Sequence, residues 1–193
     1  MGSFRYLFQV VLFSVLPFTS LSGTDPQKST ELKMKSIEMN RWPPSRAISF
    51  SDSELLALGM AQISRDAPGA VSRPALKLNT RGGVASAVVD FDRLQKLSRS
   101  GSGASTWLMS KLLTGQHDVS VAVEITSAKG LMTVHPTGVN IGGATATGAT
   151  LDFLIDHVVL SYYPQAVINR PFPLSNNVDR VTLTSTGATV YRK

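Results

Sequence analysis

Two carboxylates stand on either side of one aromatic residue in Asp90-Phe91-Asp92. Residues two apart on a β-strand project from the same face, so a strand here would present both carboxylates together. Such a pair can bind a cation or transfer protons in acid–base catalysis. The same residues also suit a junction between a strand and a helix, where an aspartate caps free backbone N–H groups. The sequence favours the capping interpretation.

The sequence contains three histidines, His117, His135 and His157, and histidine is a common general acid, general base and metal ligand. Asp156 and His157 are consecutive, and neighbours on a helix point about 100° apart, so they do not form a metal-binding pair by themselves. The sequence contains no Gly-x-Ser-x-Gly, Ser-x-x-Lys or His-Glu-x-x-His motif and no dinucleotide-binding fingerprint. We therefore expect no enzymatic activity, no metal and no cofactor. An enzyme with an unfamiliar carboxylate or serine site is the alternative.

Five large side chains could form an apolar binding site: Trp107, Met109, Phe153, Tyr162 and Tyr163. Ligand pockets are lined mainly by apolar and aromatic side chains of this kind. We predict that these five residues line a groove for an acyl chain. The alternative is that they are ordinary core residues.

The elements that would position these residues follow a pattern that occurs three times, a helix and then two short strands joined at a glycine turn. The helices begin near residues 51, 105 and 148. Ser51 and Glu54 have the spacing of a capping box, which marks the start of the first helix. The pattern predicts an α+β fold with about six strands in a curved antiparallel sheet and three helices, as helix–hairpin units in series.

The strands are predicted from alternation and turn residues. Val119, Val121, Val123 and Ile125 alternate with polar residues, which is typical of a strand buried on one face. The predicted hairpin turns are at Arg81-Gly82-Gly83, Ala128-Lys129-Gly130 and Thr186-Gly187, and a bend is predicted at Pro136-Thr137-Gly138. The last hairpin is expected to close the sheet.

The third helix, roughly residues 150 to 163, is apolar over most of its circumference. Leu151, Ile155 and Val158 lie on one side, and Phe153 and Leu160 lie on another. A helix of this kind is expected to be covered on two sides. We interpret it as a helix around which the sheet curves, or one that lines an apolar groove.

Residues 1–22 have the features of an export signal: Arg5, an apolar block from Leu7 to Phe18, and the small-residue exit Ser20-Leu21-Ser22. The block is shorter than the roughly 20 residues that span a bilayer. An uncleaved anchor is the alternative. The chain has no cysteine, so the signal is not a lipoprotein signal, and the fold has no disulfide. We expect a bacterial periplasmic or secreted protein.

Residues 23–47 are polar, basic and end near Trp42-Pro43-Pro44, so they are predicted to be a flexible basic tether. A strand or a helical turn near Glu31 to Met39 is the alternative for part of this segment. Residues 48–193 are predicted to be a single α+β domain. The net charge is +6, but only 17% of residues are charged, which is too sparse for a nucleic-acid-binding surface. We expect no nucleic acid partner and only surface contact with a membrane.

Three segments carry a resemblance to a known family: Ser49 to Leu56 at the start of the domain, the helix from Leu151 to Tyr163, and the closing stretch from Val178 to Val190. In pattern they resemble small exported bacterial proteins of unknown function. Those proteins are similar, more distantly, to envelope proteins that wrap a curved sheet around a long helix to hold lipid. The resemblance implies a lipid-holding role and carries over no catalytic residue.

The sequence therefore predicts an exported, non-enzymatic envelope domain that binds a lipid or another apolar ligand between its helices and its sheet. The alternative is an envelope scaffolding domain that binds a protein partner and no small ligand, since a six-stranded sheet has open edges.

Overall fold

A computed structural model describes residues 25–43, 46–97, 114–160, 166–174 and 176–193. The predicted signal (1–22) and the second predicted helix lie outside these residues. The described helices are α1 (Asp25–Glu38), α2 (Asp52–Asp66), α3 (Phe91–Leu97) and α4 (Gly148–Leu154), and a π-helical turn (Ile155–Val159) continues α4. The described strands are β1 (Ile48–Ser51), β2 (Val71–Leu78), β3 (Gly82–Asp90), β4 (Gln116–Ala128), β5 (Leu131–Ile141), β6 (Ala144–Ala146), β7 (Phe172–Pro173), β8 (Val178–Thr184) and β9 (Gly187–Arg192).

The main sheet has six strands in the order β2-β3-β4-β5-β6, and β7 pairs with the other end of β5. All of its pairs are antiparallel. The predicted mixture of helices with a six-stranded antiparallel sheet is thus confirmed. The strands that compose it differ from the prediction, because the last hairpin does not close this sheet.

The last hairpin instead forms a second sheet of three strands, in the order β1-β9-β8. Its partner is β1, which lies directly before α2 and pairs with β9 from Ile48 opposite Val190 to Ser51 opposite Gly187. The short strand β1 is absent from the helix–hairpin pattern, so its pairing with the end of the chain could not be predicted from that pattern.

The hairpin of β4 and β5 is the longest in the fold's described part. Its two-residue turn, Lys129-Gly130, has φ angles of 52° and 76°, as the type I′ turn requires. Ala122 pairs with Gly138 while Val123 pairs with Pro136, which leaves Thr137 as a bulge. Both the predicted turn and the predicted bend are confirmed.

The turn between β2 and β3 begins earlier than predicted. The predicted Arg81-Gly82-Gly83 turn is wrong by about two residues, because Leu78 already pairs with Gly83. The Asn79 side chain accepts hydrogen bonds from the backbone N–H groups of Arg81 and Gly82, at 2.8 and 2.9 Å. This local side-chain turn fixes the hairpin.

Helix α2 begins as predicted. Ser51 accepts from the Glu54 N–H, and the Glu54 carboxylate accepts from the Ser51 N–H at 2.9 Å, so the capping box is complete. The helix ends before Pro68-Gly69, with Ala67 at its C-terminal cap.

The flexible tether predicted for residues 23–47 is wrong for α1 and for Trp42. Ile37 is completely buried, Met34 and Trp42 are buried, and all three belong to the hydrophobic core. The Arg192 guanidinium also donates a hydrogen bond to the Trp42 carbonyl oxygen. Helix α1 is therefore part of the folded domain.

The core joins α1 to the small sheet and to the turn end of the β4–β5 hairpin. Its buried members are Met34, Ile37, Trp42, Phe50, Met132, Val134, Phe172, Leu174, Val178 and Val190. Backbone and side-chain hydrogen bonds fix this arrangement, since Gly130 N–H donates to the Asp179 carbonyl and Val181 N–H donates to Ser127 Oγ.

The predicted third helix begins at Gly148 and changes its geometry along its length. Regular α-helix ends at Leu154 and the π-helical turn runs to Val159, whereas residues 161–163 lie outside the described chain. Leu151 and Ile155 are buried but Phe153 is half exposed, so this part of the helix is covered mainly on one side. Among the described helices, none has the length and apolar character needed to cross a bilayer.

Candidate functional site

One face of the main sheet is apolar across five strands. Leu76, Ala85, Val121, Val139 and Ala146 pair in register from β2 to β6 and so share a face. A second row beside it, in β3 to β6, consists of Ala87, Val119, Ile141 and Ala144. We call these nine residues the outer apolar face.

None of the nine residues of the outer apolar face is buried. Ala85 and Ala144 are exposed, and the other seven are half-buried. Side chains on the same face of the β4–β5 hairpin are buried near its turn. Met132 and Val134 belong to the core there and are only 3% and 1% exposed. Among the described residues, the sheet thus carries one continuous apolar surface whose side chains are buried only at the turn end.

The opposite face of the same strands is mixed in character, with Val84, Val88 and Ala122 beside a row of polar side chains. Ser86, Ser120, Asn140 and Thr145 pair in a row across β3 to β6, and the Asn140 amide donates to Thr145 Oγ1 at 2.8 Å. A shallow cavity of about 250 Å³ lies over this face. It is lined in part by Arg73 and Asp118. The two faces of the sheet therefore offer different chemistry, and the outer apolar face has no polar side chain in either row.

Helix α4 flanks the sheet next to β5. It follows β6 after Thr147, whose methyl group approaches Gly138 of β5 closely enough that a Cβ at Gly138 would lie 3.5 Å from it. Helix α2 lies at the other side, next to β2. Helices thus contact β2 and β5, and the approach of Thr147 to Gly138 is on the face of Asn140, opposite the outer apolar face.

Phe153 is the one predicted ligand-binding residue that the structure describes. It lies on α4, is 50% exposed, and stacks on His157 with ring centroids 4.3 Å apart and an interplanar angle of 18°. Trp107, Met109, Tyr162 and Tyr163 lie outside the described residues. Their grouping with Phe153 remains a prediction.

Asp90 and Asp92 lie at the start of a helix, in agreement with the interpretation that the sequence favours. Asp90 ends β3, and its Oδ1 accepts the Arg93 N–H at 2.9 Å at the start of α3. Hydrogen bonds from the Arg93 N–H and from the Gln116 amide hold the pKa of Asp90 below its ordinary value, against a smaller effect of desolvation. An aspartate held ionised at a helix start is suited to capping rather than to donating a proton.

The three histidines contact backbone or amide groups. His117 Nε2 lies 2.8 Å from the Thr114 carbonyl oxygen, and His157 Nδ1 lies 3.1 Å from the Phe153 carbonyl oxygen. His135 Nδ1 lies 2.5 Å from the Asn169 side-chain oxygen. Among the described residues, no group of three or more His, Asp or Glu side chains could hold a metal ion.

The residues that sequence reasoning missed are those of β2, β3, β5 and β6 that extend the apolar face. The alternation in β4 indicated Val119 and Val121, but the pairing that places Ala85 and Val139 beside them depends on strand register. The bulge at Thr137 shifts that register, so the alternation of β5 changes phase within the strand.

No protein-family model matches this chain, and neither a curated protein nor a solved structure was found to resemble it. The function is therefore argued from the geometry of the two sheet faces.

Proposed function

We propose that this protein is an exported, non-enzymatic envelope domain that holds an acyl chain of a lipid against the outer apolar face. The observation that carries the proposal is that nine apolar residues form two adjacent rows and none of them is buried. A contiguous apolar surface that remains partly accessible to solvent is a feature of ligand-binding sites.

The chemistry of the face favours a lipid chain over a polar ligand. Neither row supplies a hydrogen-bond donor or acceptor side chain, so binding would be driven by removal of apolar surface from water, at about 25 cal/mol per Å². Five strands spaced about 4.8 Å apart give a width of about 19 Å, which is comparable with an extended long acyl chain.

Helix residues are proposed from the sequence as further parts of the site. Phe153 on α4 would contact the chain, and Trp107, Met109, Tyr162 and Tyr163 are proposed from the sequence as further lining residues. We also propose that the sheet curves around the ligand and the third helix.

A pair of neighbouring substitutions tests this site. Ala85→Leu adds bulk in the centre of the outer apolar face, whereas Ser86→Leu adds a larger apolar side chain on the opposite face and is the matched control. We expect Ala85→Leu to weaken uptake of a fluorescent fatty acid by the delipidated protein several-fold and Ser86→Leu to leave it unchanged. Equal uptake by both variants, or none by the unmodified protein, would refute the site.

Binding of a protein partner in the envelope remains the alternative function. The edge strand β2 gives it little support, since its pairing is interrupted between Ser72 and Ala75 and contains Pro74. A bulge and a proline both hinder the addition of another strand.

A further inference from the structure

Helix α1 has two chemically distinct sides. Thr30, Met34 and Ile37 are buried in the domain. Successive residues of an α-helix are rotated by about 100° about its axis. The mean direction of Lys28, Leu32, Lys35 and Met39 is therefore about 160° from the mean direction of the three buried residues. Met39 continues the helical geometry, because its N–H donates to the Lys35 carbonyl at 2.9 Å. We call these four residues the α1 outer surface.

The α1 outer surface exposes apolar side chains beside basic ones. Leu32 is 61% exposed and Met39 is 47% exposed, and Lys28 and Lys35 are also exposed. This is the composition of a helix that lies in the interface of an anionic membrane, with apolar side chains among the acyl chains and lysines at the headgroups.

The charges around α1 are compatible with that orientation. Glu31 and Glu38 lie about 70–90° round from the centre of the outer surface, so they would flank the contact rather than face the bilayer. Lys33 points the other way and pairs with Glu54 at 2.6 Å. The exposed Arg41 and Arg46 follow the helix and add positive charge.

We infer that the α1 outer surface docks the domain on an anionic membrane, with Leu32 and Met39 inserted and Lys28 and Lys35 at the headgroups. The inference rests on the predicted export, which would bring the domain to an envelope membrane. It goes beyond the lipid-binding proposal, because it concerns a surface on α1 rather than the outer apolar face.

The absence of cysteine from the chain permits a site-specific test. Leu32→Cys and Met39→Cys are labelled separately with an environment-sensitive fluorophore, and Val84→Cys, at a 38% exposed position on β3, is the control. Each labelled full-length protein is mixed with vesicles of phosphatidylcholine alone or with half phosphatidylglycerol.

With phosphatidylglycerol present, we expect the fluorophores at 32 and 39 to rise in intensity and to be quenched by nitroxide lipids, and the fluorophore at 84 to stay unchanged. Reversing both charges, Lys28→Glu with Lys35→Glu, should weaken this binding at least about tenfold, since each basic residue near an anionic surface contributes about 1 kcal/mol. The inference would be overturned if the fluorescence changes at 32 and 39 were no larger than the change at 84. It would also be overturned if they were equally large with vesicles of phosphatidylcholine alone. Mass spectrometry of the same samples measures the amount of lipid that they retain. This measurement tests the outer apolar face separately from the α1 outer surface.

Discussion

At the scale of single residues, Glu54 connects two helices. Its carboxylate accepts hydrogen bonds from Lys33 Nζ at 2.6 and 2.7 Å and from Ser29 Oγ at 2.8 Å, in addition to the Ser51 N–H. The capping contact was predictable from the Ser-x-x-Glu spacing. The contacts with α1 were not, because they join residues more than 20 positions apart in sequence.

We predict that Glu54→Ala destabilises the protein by about 2–3 kcal/mol, because it removes the carboxylate half of the capping box and the ion-pair partner of Lys33. The measurement is the free energy of unfolding in urea at pH 7. Glu31→Ala, on an exposed position of α1, is the control and should change the free energy by less than about 0.5 kcal/mol. Similar small effects of both substitutions would contradict the role of Glu54.

The same carboxylate predicts a pH dependence. Burial tends to raise the pKa of Glu54, but the hydrogen bonds from Lys33, Ser51 and Ser29 together bring it below its ordinary value of 4.5. The stabilisation is therefore fully present above about pH 4.5 and is lost as the pH falls through the folded-state pKa. The stability difference between the unmodified protein and Glu54→Gln should shrink between pH 7 and pH 3 in urea unfolding. A difference that stays constant over this range would show that ionised Glu54 is not its source.

Gly82 marks a close approach between two strands. A Cβ at this position would clash with the backbone carbonyl oxygen of Val123 on β4. We predict that Gly82→Ala costs at least about 2 kcal/mol of unfolding free energy, because backbone atoms must shift. Gly138→Ala is the control, since its Cβ would meet only ordinary contacts, and it should cost less than about 1 kcal/mol. The reverse ranking in thermal or urea unfolding would contradict the described β3–β4 register.

At the scale of elements, α1 shows why some of the fold was not predictable. Thr30, Met34 and Ile37 follow helical spacing, but most residues of the segment are polar or charged. Contact with α2 and with the shared core makes so sparse an apolar stripe sufficient to bury the helix. Tertiary packing, rather than the local sequence, decides that this segment is part of the domain.

The position of α1 in the core predicts a contrast along one helix. Ile37→Ala should lower the free energy of unfolding by about 2–5 kcal/mol, because it leaves a cavity in the core. Leu32→Ala, on the outer surface of the same helix, should change it by less than about 0.5 kcal/mol. Urea unfolding of both variants provides the comparison. If the two substitutions had the same small effect, α1 would not be packed as described.

The hairpins were more predictable than their assembly. Local alternation and turn residues predicted the β4–β5 hairpin, its turn and its bulge, because those signals lie within adjacent residues. The placement of β8 and β9 in a second sheet depends on β1, a four-residue strand about 140 residues away in sequence. Pairing at such a separation carries no local signal.

At the scale of the whole molecule, the buried apolar side chains are distributed unevenly. The small sheet, α1 and the turn end of the β4–β5 hairpin share one dense core, whereas the outer half of the main sheet keeps nine apolar residues half-buried or exposed. The sequence predicted an apolar site between helices and sheet, but it directed attention to the aromatic residues of the helices. The strand residues became recognisable only once their register was known.

The measurement that tests the lipid-binding proposal most directly is native mass spectrometry of the protein exported with its own N-terminal segment and purified without detergent. We predict the mass of residues 23–193 plus the mass of a bound lipid, which is lost on organic extraction. A mass equal to the polypeptide alone would contradict the proposal and would leave a protein partner as the function to pursue.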